Sequence, residues 1–218
     1  MTDDKMTEQE SLQLISQMIN KAKNNFHESG VGPILWGTII TVCSLVTYFQ
    51  IKFHFDLPFD IWILTVAAIA PQLIIVSRER KRQKVRSYDD ITMDYIWMTF
   101  GISIFLLVTI NNVIITKLAP VFNAYVELKG TMPDENYSGF STSFFLLLYG
   151  FPTIITGGSR HFKPMLFGGI FCWIACVISL FTKSDIDMLL LAASAILAWL
   201  IPGILLRKKY KSIRAANV

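Results

Sequence analysis

The sequence predicts an all-α polytopic membrane protein: six transmembrane helices arranged as three helical-hairpin repeats. Three observations carry that expectation. Uncharged apolar runs occupy 29–51, 61–77, 95–116, 136–159, 164–182 and 188–206. Lys and Arg gather in alternate connecting segments. A glycine near the start of each odd run and a proline near the end of each even run recur at related spacings.

Each run holds 17 to 24 residues, and about 20 helical residues at 1.5 Å each cross a hydrocarbon layer of roughly 30 Å. A membrane barrel would instead show alternating segments of about ten residues. Only 17% of the chain is charged, where a soluble domain carries nearer a quarter.

Taken in order, residues 1–33 form a polar, amphipathic segment expected on the cytoplasmic side. Thr7 and Glu10 stand at capping-box spacing. Leu12, Ile15, Ile19, Ala22 and Phe26 recur at helical spacing behind them, with Leu14 and Met18 widening the stripe. The first apolar run is read as an uncleaved anchor rather than a signal peptide. Residues 34–206 make the six-helix membrane domain and 207–218 a basic cytoplasmic tail. Sixteen Lys and Arg fall on the segments of one side, including six in "RERKRQKVRSYDD", and four on the other. Positive charge stays cytoplasmic during insertion, so both termini are expected inside. Beyond the second run, Ser87 and Asp90 stand at capping-box spacing, making 88–97 a cytoplasmic extension of the third helix with Asp94 as a wet carboxylate. Residues 117–139 are expected to form a long outer loop of unassigned role.

The even helices end alike: Pro71 before Arg78, Pro152 before Arg160, Pro202 before Arg207. The odd helices open with Trp36-Gly37, Phe100-Gly101 and Phe167-Gly168. Gly37 to Pro71 and Gly168 to Pro202 both span 34 residues, and Gly101 to Pro152 spans 51 because of the outer loop. A parallel hairpin repeat produces this pattern. Each proline removes a backbone hydrogen bond and is expected to kink its helix. The glycines are expected to admit close backbones at the same depth, with Arg78, Arg160 and Arg207 as headgroup anchors.

Chemistry-bearing residues are sparse. The apolar runs hold no Asp, Glu, Lys or Arg, which mark ion and proton pathways when placed at mid-membrane. The polar candidates are Gln72, Asn111, Asn112, Thr153 and Thr156. Cys43, Cys172 and Cys176 lie within apolar runs and read as free thiols. No catalytic residue, metal set or cofactor motif is expected, and "GGSRHFKP" lacks the features of a phosphate loop. The basic clusters lack the interleaved aromatics of a nucleic-acid surface. The partners expected are the lipid bilayer and a cytoplasmic protein, and the sequence is compatible with a homo-oligomer.

The stretches "ESLQLISQMINKAKNNF" leading to "LWG", "YGFPTIITGGSRHFKPMLFGGIFCW" and "IPGILLRKKYK" resemble a family of small bacterial six-helix integral membrane proteins. Its members have no assigned activity and are often encoded beside a small winged-helix regulator. The resemblance implies the bacterial inner membrane and a sensory or regulatory role, and supplies no site residues. The functional expectation is a non-enzymatic sensory or accessory component that engages a cytoplasmic partner. The alternative is a small transporter or export component for an apolar or neutral solute.

Overall fold

The computed structural model describes residues 12, 29–82, 88–130 and 138–216. Of the amphipathic N-terminal segment 1–33, Leu12 is described, helical and exposed, together with residues 29–33, where α1 begins. Thr7, Glu10 and Ser87, with their expected capping roles, lie outside the described residues.

Every regular element among the described residues is helical: α1 (Val31–Phe53), α2 (Ile63–Ala67), α3 (Ile69–Arg82), α4 (Tyr88–Lys129), α5 (Ser138–Ser159), α6 (Lys163–Ser179), α7 (Ser184–Ala195), a π-helical segment (Ile196–Leu200) and α8 (Ile201–Ala216). Four of the described helical stretches are long and apolar enough to cross a membrane: Val31–Phe53, Tyr88–Lys129, Phe140–Ser159 and Ser184–Ser212. The other two expected spans fall short of that length. The second run is interrupted at Ala68, and the fifth forms the 17-residue α6.

Local causes are visible at the breaks. Pro71 lacks the amide that would bond the Ala67 carbonyl, while Ala68, between α2 and α3, keeps helical angles (φ −67°, ψ −19°), its N–H on the Leu64 carbonyl at 2.9 Å and its carbonyl accepting from Gln72 at 3.1 Å. The missing amide of Pro202 is followed by a different outcome. Ile201 donates its N–H to the Ile196 carbonyl, the five-residue spacing of a π-helix. At Pro152 the α5 assignment runs on unbroken.

Residues 117–129, expected as loop, continue α4 to a length of 42 residues. Leu118, Ala119, Ala124, Glu127 and Leu128 favour helix, and Pro120 does not end it. Gly130 does, with φ 72° and its N–H on the Val126 carbonyl at 2.7 Å, the αL stop that glycine adopts without strain.

The core is formed by α1, α5, α6 and the α7–π–α8 rod. The turn after α5 is a Schellman motif: Phe162 N–H bonds the Gly157 carbonyl at 2.8 Å and His161 N–H the Gly158 carbonyl at 3.1 Å. His161 takes the left-handed position with φ 50°. At the opposite end, the Asp60 carboxylate accepts the Trp62 N–H at 2.9 Å and Trp62 Nε1 donates to Thr47 at 3.2 Å. One end of the bundle collects the C-termini of α3, α5 and α8 with their arginines. There Arg160 pairs with Asp90 at 2.8 Å, joining α5 to the start of α4.

α4 packs on this core through one stripe. Met93, Trp97, Phe100, Ile104 and Asn111 lie at helical spacing and turn inward. Elsewhere α4 is open: Ile102, Phe105, Leu106 and Val113 are exposed.

Candidate functional site

The centre of the molecule is the π segment Ile196–Leu200. Two helices press on it through glycine. A β-carbon at Gly37 of α1 would stand 2.6 Å from the Leu200 nitrogen and 2.9 Å from its Cα. One at Gly168 of α6 would stand 2.5 Å from the Leu197 oxygen and 2.8 Å from the Ala198 nitrogen. Both contacts are with backbone, which cannot swing aside. The packing therefore requires glycine at both positions.

Between those contacts Trp199 enters the core, 3% exposed. Its ring centroid lies 4.6 Å from Tyr149, 6.0 Å from Phe100 and 6.4 Å from Trp97. Such separations suit tilted and edge-on aromatic contacts. The indole Nε1 donates to Thr153 Oγ1 at 2.9 Å, and Thr153 donates to the Tyr149 carbonyl at 2.6 Å. Every polar atom in that chain is thereby satisfied, as burial demands. Pro152 and Pro202 are both buried beside this cluster.

A polar seam continues from here toward the end of the bundle remote from Arg160. Ser143 and Ser179 share a hydrogen bond of 2.7 Å, and the Cys176 thiol donates to the Ser143 carbonyl at 3.2 Å. Asp187 is completely buried, one oxygen accepting from the Thr182 hydroxyl. Its other oxygen, with the hydroxyls of Ser44 and Ser194, is buried without a hydrogen-bond partner among the described residues. Cys43 and Cys172 are buried, Cys176 is half-buried, and all three are free thiols.

The residues singled out from sequence divide. Gly37, Gly168, Pro152, Pro202, Thr153 and Thr156 converge on the core. Pro71 and Gly101 do not: both are exposed, and a β-carbon at Gly101 would meet nothing within 4 Å. Gln72 lies beside Gly32 of α1, its amide 3.5 Å from the position of a β-carbon there. Asn111 is buried against the core, while Asn112 faces outward and returns its amide to the Val108 carbonyl at 2.9 Å. Arg78 and Arg207 are exposed. Arg160, expected to reach headgroups, pairs with Asp90 instead, both side chains less than a fifth exposed. Asp94 is 40% exposed and pairs with Arg80 at 3.1 Å.

Sequence reasoning did not single out Tyr149, Trp199 or Asp187. A tryptophan three residues before a buried proline was a readable signal for Trp199. Asp187 lies one residue ahead of the sixth uncharged run, and only the fold shows it buried.

The site brings together an indole, a phenol, hydroxyls and close backbones, with no paired base and nucleophile among them. It can fix helix positions and close the middle of the bundle. Compared with family models, curated proteins and solved structures, the chain matches none.

Proposed function

We propose that the chain is a six-helix inner-membrane protein of three hairpin repeats, both termini cytoplasmic, acting as a non-enzymatic sensory or accessory component. Its basic end engages a cytoplasmic protein partner. The observation that carries this reading is the filled centre. Trp199, Tyr149 and Thr153 occupy the middle of the core, the indole N–H bonded to the Thr153 hydroxyl and that hydroxyl to the Tyr149 backbone carbonyl. The alternative, a path for an apolar or neutral solute, would need that region open. Arg78, Lys81, Arg207 and Lys208 meanwhile stand exposed at one end.

The repeat draws support from register. In the third hairpin Gly168 lies against Ala198. In the second, Phe100 meets Tyr149 with ring centroids 6.0 Å apart, which sets Gly101 level with Leu148. In the first, Gly32 faces Gln72 and the Cys43 thiol donates to the Ile61 carbonyl, which sets Gly37 level with Ala67. Ala198, Leu148 and Ala67 each precede their proline by four. Each landmark glycine is thus level with the carbonyl that a proline deprives of its amide. The resemblance noted above lends weight to a regulatory role and to the inner membrane.

One experiment tests both readings. The gene is deleted, and transcript profile and growth on a panel of toxic compounds are recorded. The strain is then complemented with wild type, with R78Q/K81Q/R207Q/K208Q, and with Trp199→Ala. The charge variant is expected to leave the transcript change uncorrected, and compound sensitivity to stay at wild-type level throughout. A compound-sensitive deletion that W199A fails to rescue while the charge variant succeeds favours transport instead. Orientation is controlled in each strain by impermeant thiol labelling. Ser138→Cys is expected to react in intact cells and Ser212→Cys only after lysis.

A further inference from the structure

Neighbouring helices in this fold close on one another through backbone. Gly37 of α1 meets Leu200, next to α8, and Gly169 of α6 would set a β-carbon 2.9 Å from the Ile154 nitrogen of α5. The seam between α3 and α4 is different. Among the described residues the two helices meet at Arg80 and Asp94 and stand open beyond that pair. On α4, Asp94, Met98, Gly101 and Phe105 share the stripe turned about 100° from the one packed on the core. Met98 and Phe105 are 54% and 69% exposed. On α3, Leu73, Ser77 and Arg80 share the facing stripe by the same spacing, and Leu73 is 62% exposed.

The adjoining flank of α3 holds a depression of about 310 Å³ lined by α3 alone: Leu73 and Ser77 of that stripe, with Ile74, Arg78 and Lys81 turned about 100° further round the helix. Its lining is ordered along the helix: two aliphatic residues, a hydroxyl, then two cations. The sequence covers roughly 12 Å at 1.5 Å per residue. This is the order of groups along a lipid, from acyl chain through glycerol to phosphate. Arg80 and Arg160 are already engaged by Asp94 and Asp90, while Arg78 and Lys81 are exposed at the rim. An apolar partner or a second copy of an uncharged face would have no use for those two cations.

We infer that this flank of α3, with the open α3–α4 seam beside it, is a specific site for an anionic phospholipid of the leaflet at the basic end. Arg78, Lys81 and the Ser77 hydroxyl hold its phosphate. An acyl chain lies along Leu73, Ile74 and the Met98–Gly101–Phe105 stripe. Basic pockets between membrane helices recognise lipid headgroups in this way. The inference rests on the proposed membrane orientation.

The test uses the full chain purified in mild detergent and examined by native mass spectrometry. The probe is an equimolar mixture of phosphatidylglycerol and phosphatidylcholine with identical acyl chains. One phosphatidylglycerol retained per chain, in preference to phosphatidylcholine, is expected. Two lost cations should weaken R78Q/K81Q about thirtyfold. Gly101→Phe, which fills an exposed position and leaves both cations in place, should also release the lipid. R207Q/K208Q, an equal charge change elsewhere on the same end, should bind within about twofold of wild type. Equal retention of the two lipids, or equal loss in the two charge variants, overturns the site. Displacement by millimolar glycerol phosphate overturns the lipid in favour of a soluble anion. A dimer that G101F abolishes assigns the seam to a second copy. If thiol labelling of Ser138→Cys and Ser212→Cys gives the expected orientation while lipid is not retained, the inference fails alone. If labelling is reversed, the orientation reading fails separately.

Discussion

Replacing Gly168 with Ala tests whether the π segment is gripped as tightly as the backbone distances imply. The added methyl carbon would stand 2.5 Å from the Leu197 oxygen and 2.8 Å from the Ala198 nitrogen. Unstrained carbon contacts begin near 3.5 Å, so α6 and the π segment must part by most of an ångström. Overpacking of that kind costs about 1–3 kcal/mol, against a gain of about 0.5–1 kcal/mol for removing a helical glycine. The matched control is Gly101→Ala, where nothing lies within 4 Å and only the gain applies. At about 2–4 °C per kcal/mol for a chain of this size, G168A should melt several degrees below wild type and G101A slightly above it. Intrinsic tryptophan fluorescence during thermal unfolding in detergent reads both, and the loss should appear near Trp199. If G168A melts within 1 °C of wild type, or G101A falls as far as G168A, the reasoning from backbone contact is refuted.

Two further perturbations address the polar contacts. Thr153→Val leaves the Trp199 indole N–H buried without an acceptor and should cost about 1–3 kcal/mol. Adding Trp199→Phe removes the stranded donor, so a double-mutant cycle should return a coupling near 1 kcal/mol; strict additivity would mean the 2.9 Å contact contributes nothing. Arg160→Gln removes the cation beside the largely buried Asp90 carboxylate and should cost about 1.5–3 kcal/mol. Part of that loss should return in the charge-swapped D90R/R160D protein, and thermal unfolding of the three proteins decides it.

Helix positions were legible where one physical requirement dominated. The runs 29–51, 136–159 and 188–206 fall on α1, α5 and the α7–π–α8 rod because exclusion of charge over a membrane thickness leaves little latitude. The end of α4 was not legible. Lys117 and Pro120 look like the close of a span, yet a helix outside an apolar layer tolerates charge, and the continuation ends at the glycine ten residues past the proline. Proline itself was ambiguous. The same residue accompanies a one-residue break between α2 and α3 at Ala68, a π segment before Pro202 and an uninterrupted α5 at Pro152. What decides among these is the neighbour packed against the freed carbonyl, which composition does not reveal. The burial of Pro152 and Pro202 against the exposure of Pro71 records the same dependence. Trp199 was hidden for a related reason: a tryptophan in an apolar run reads alike whether it faces lipid or a tyrosine.

The length of α4 has a mechanical consequence. It is tethered near its start, through Asp90 to Arg160 and Asp94 to Arg80, stays packed on the core as far as Asn111, and runs on to Gly130. From Asn111 that is roughly 28 Å of helix at 1.5 Å per residue. A rod held along one part multiplies angle into distance: a tilt of about 10° carries the far tip about 5 Å. Rearranging the ion pairs together with the packed stripe is therefore enough to sweep Lys129 through about half a helix diameter. α4 is in this sense a lever whose fulcrum is the stretch from Asp90 to Asn111, and its far tip is where small changes at that fulcrum would be largest.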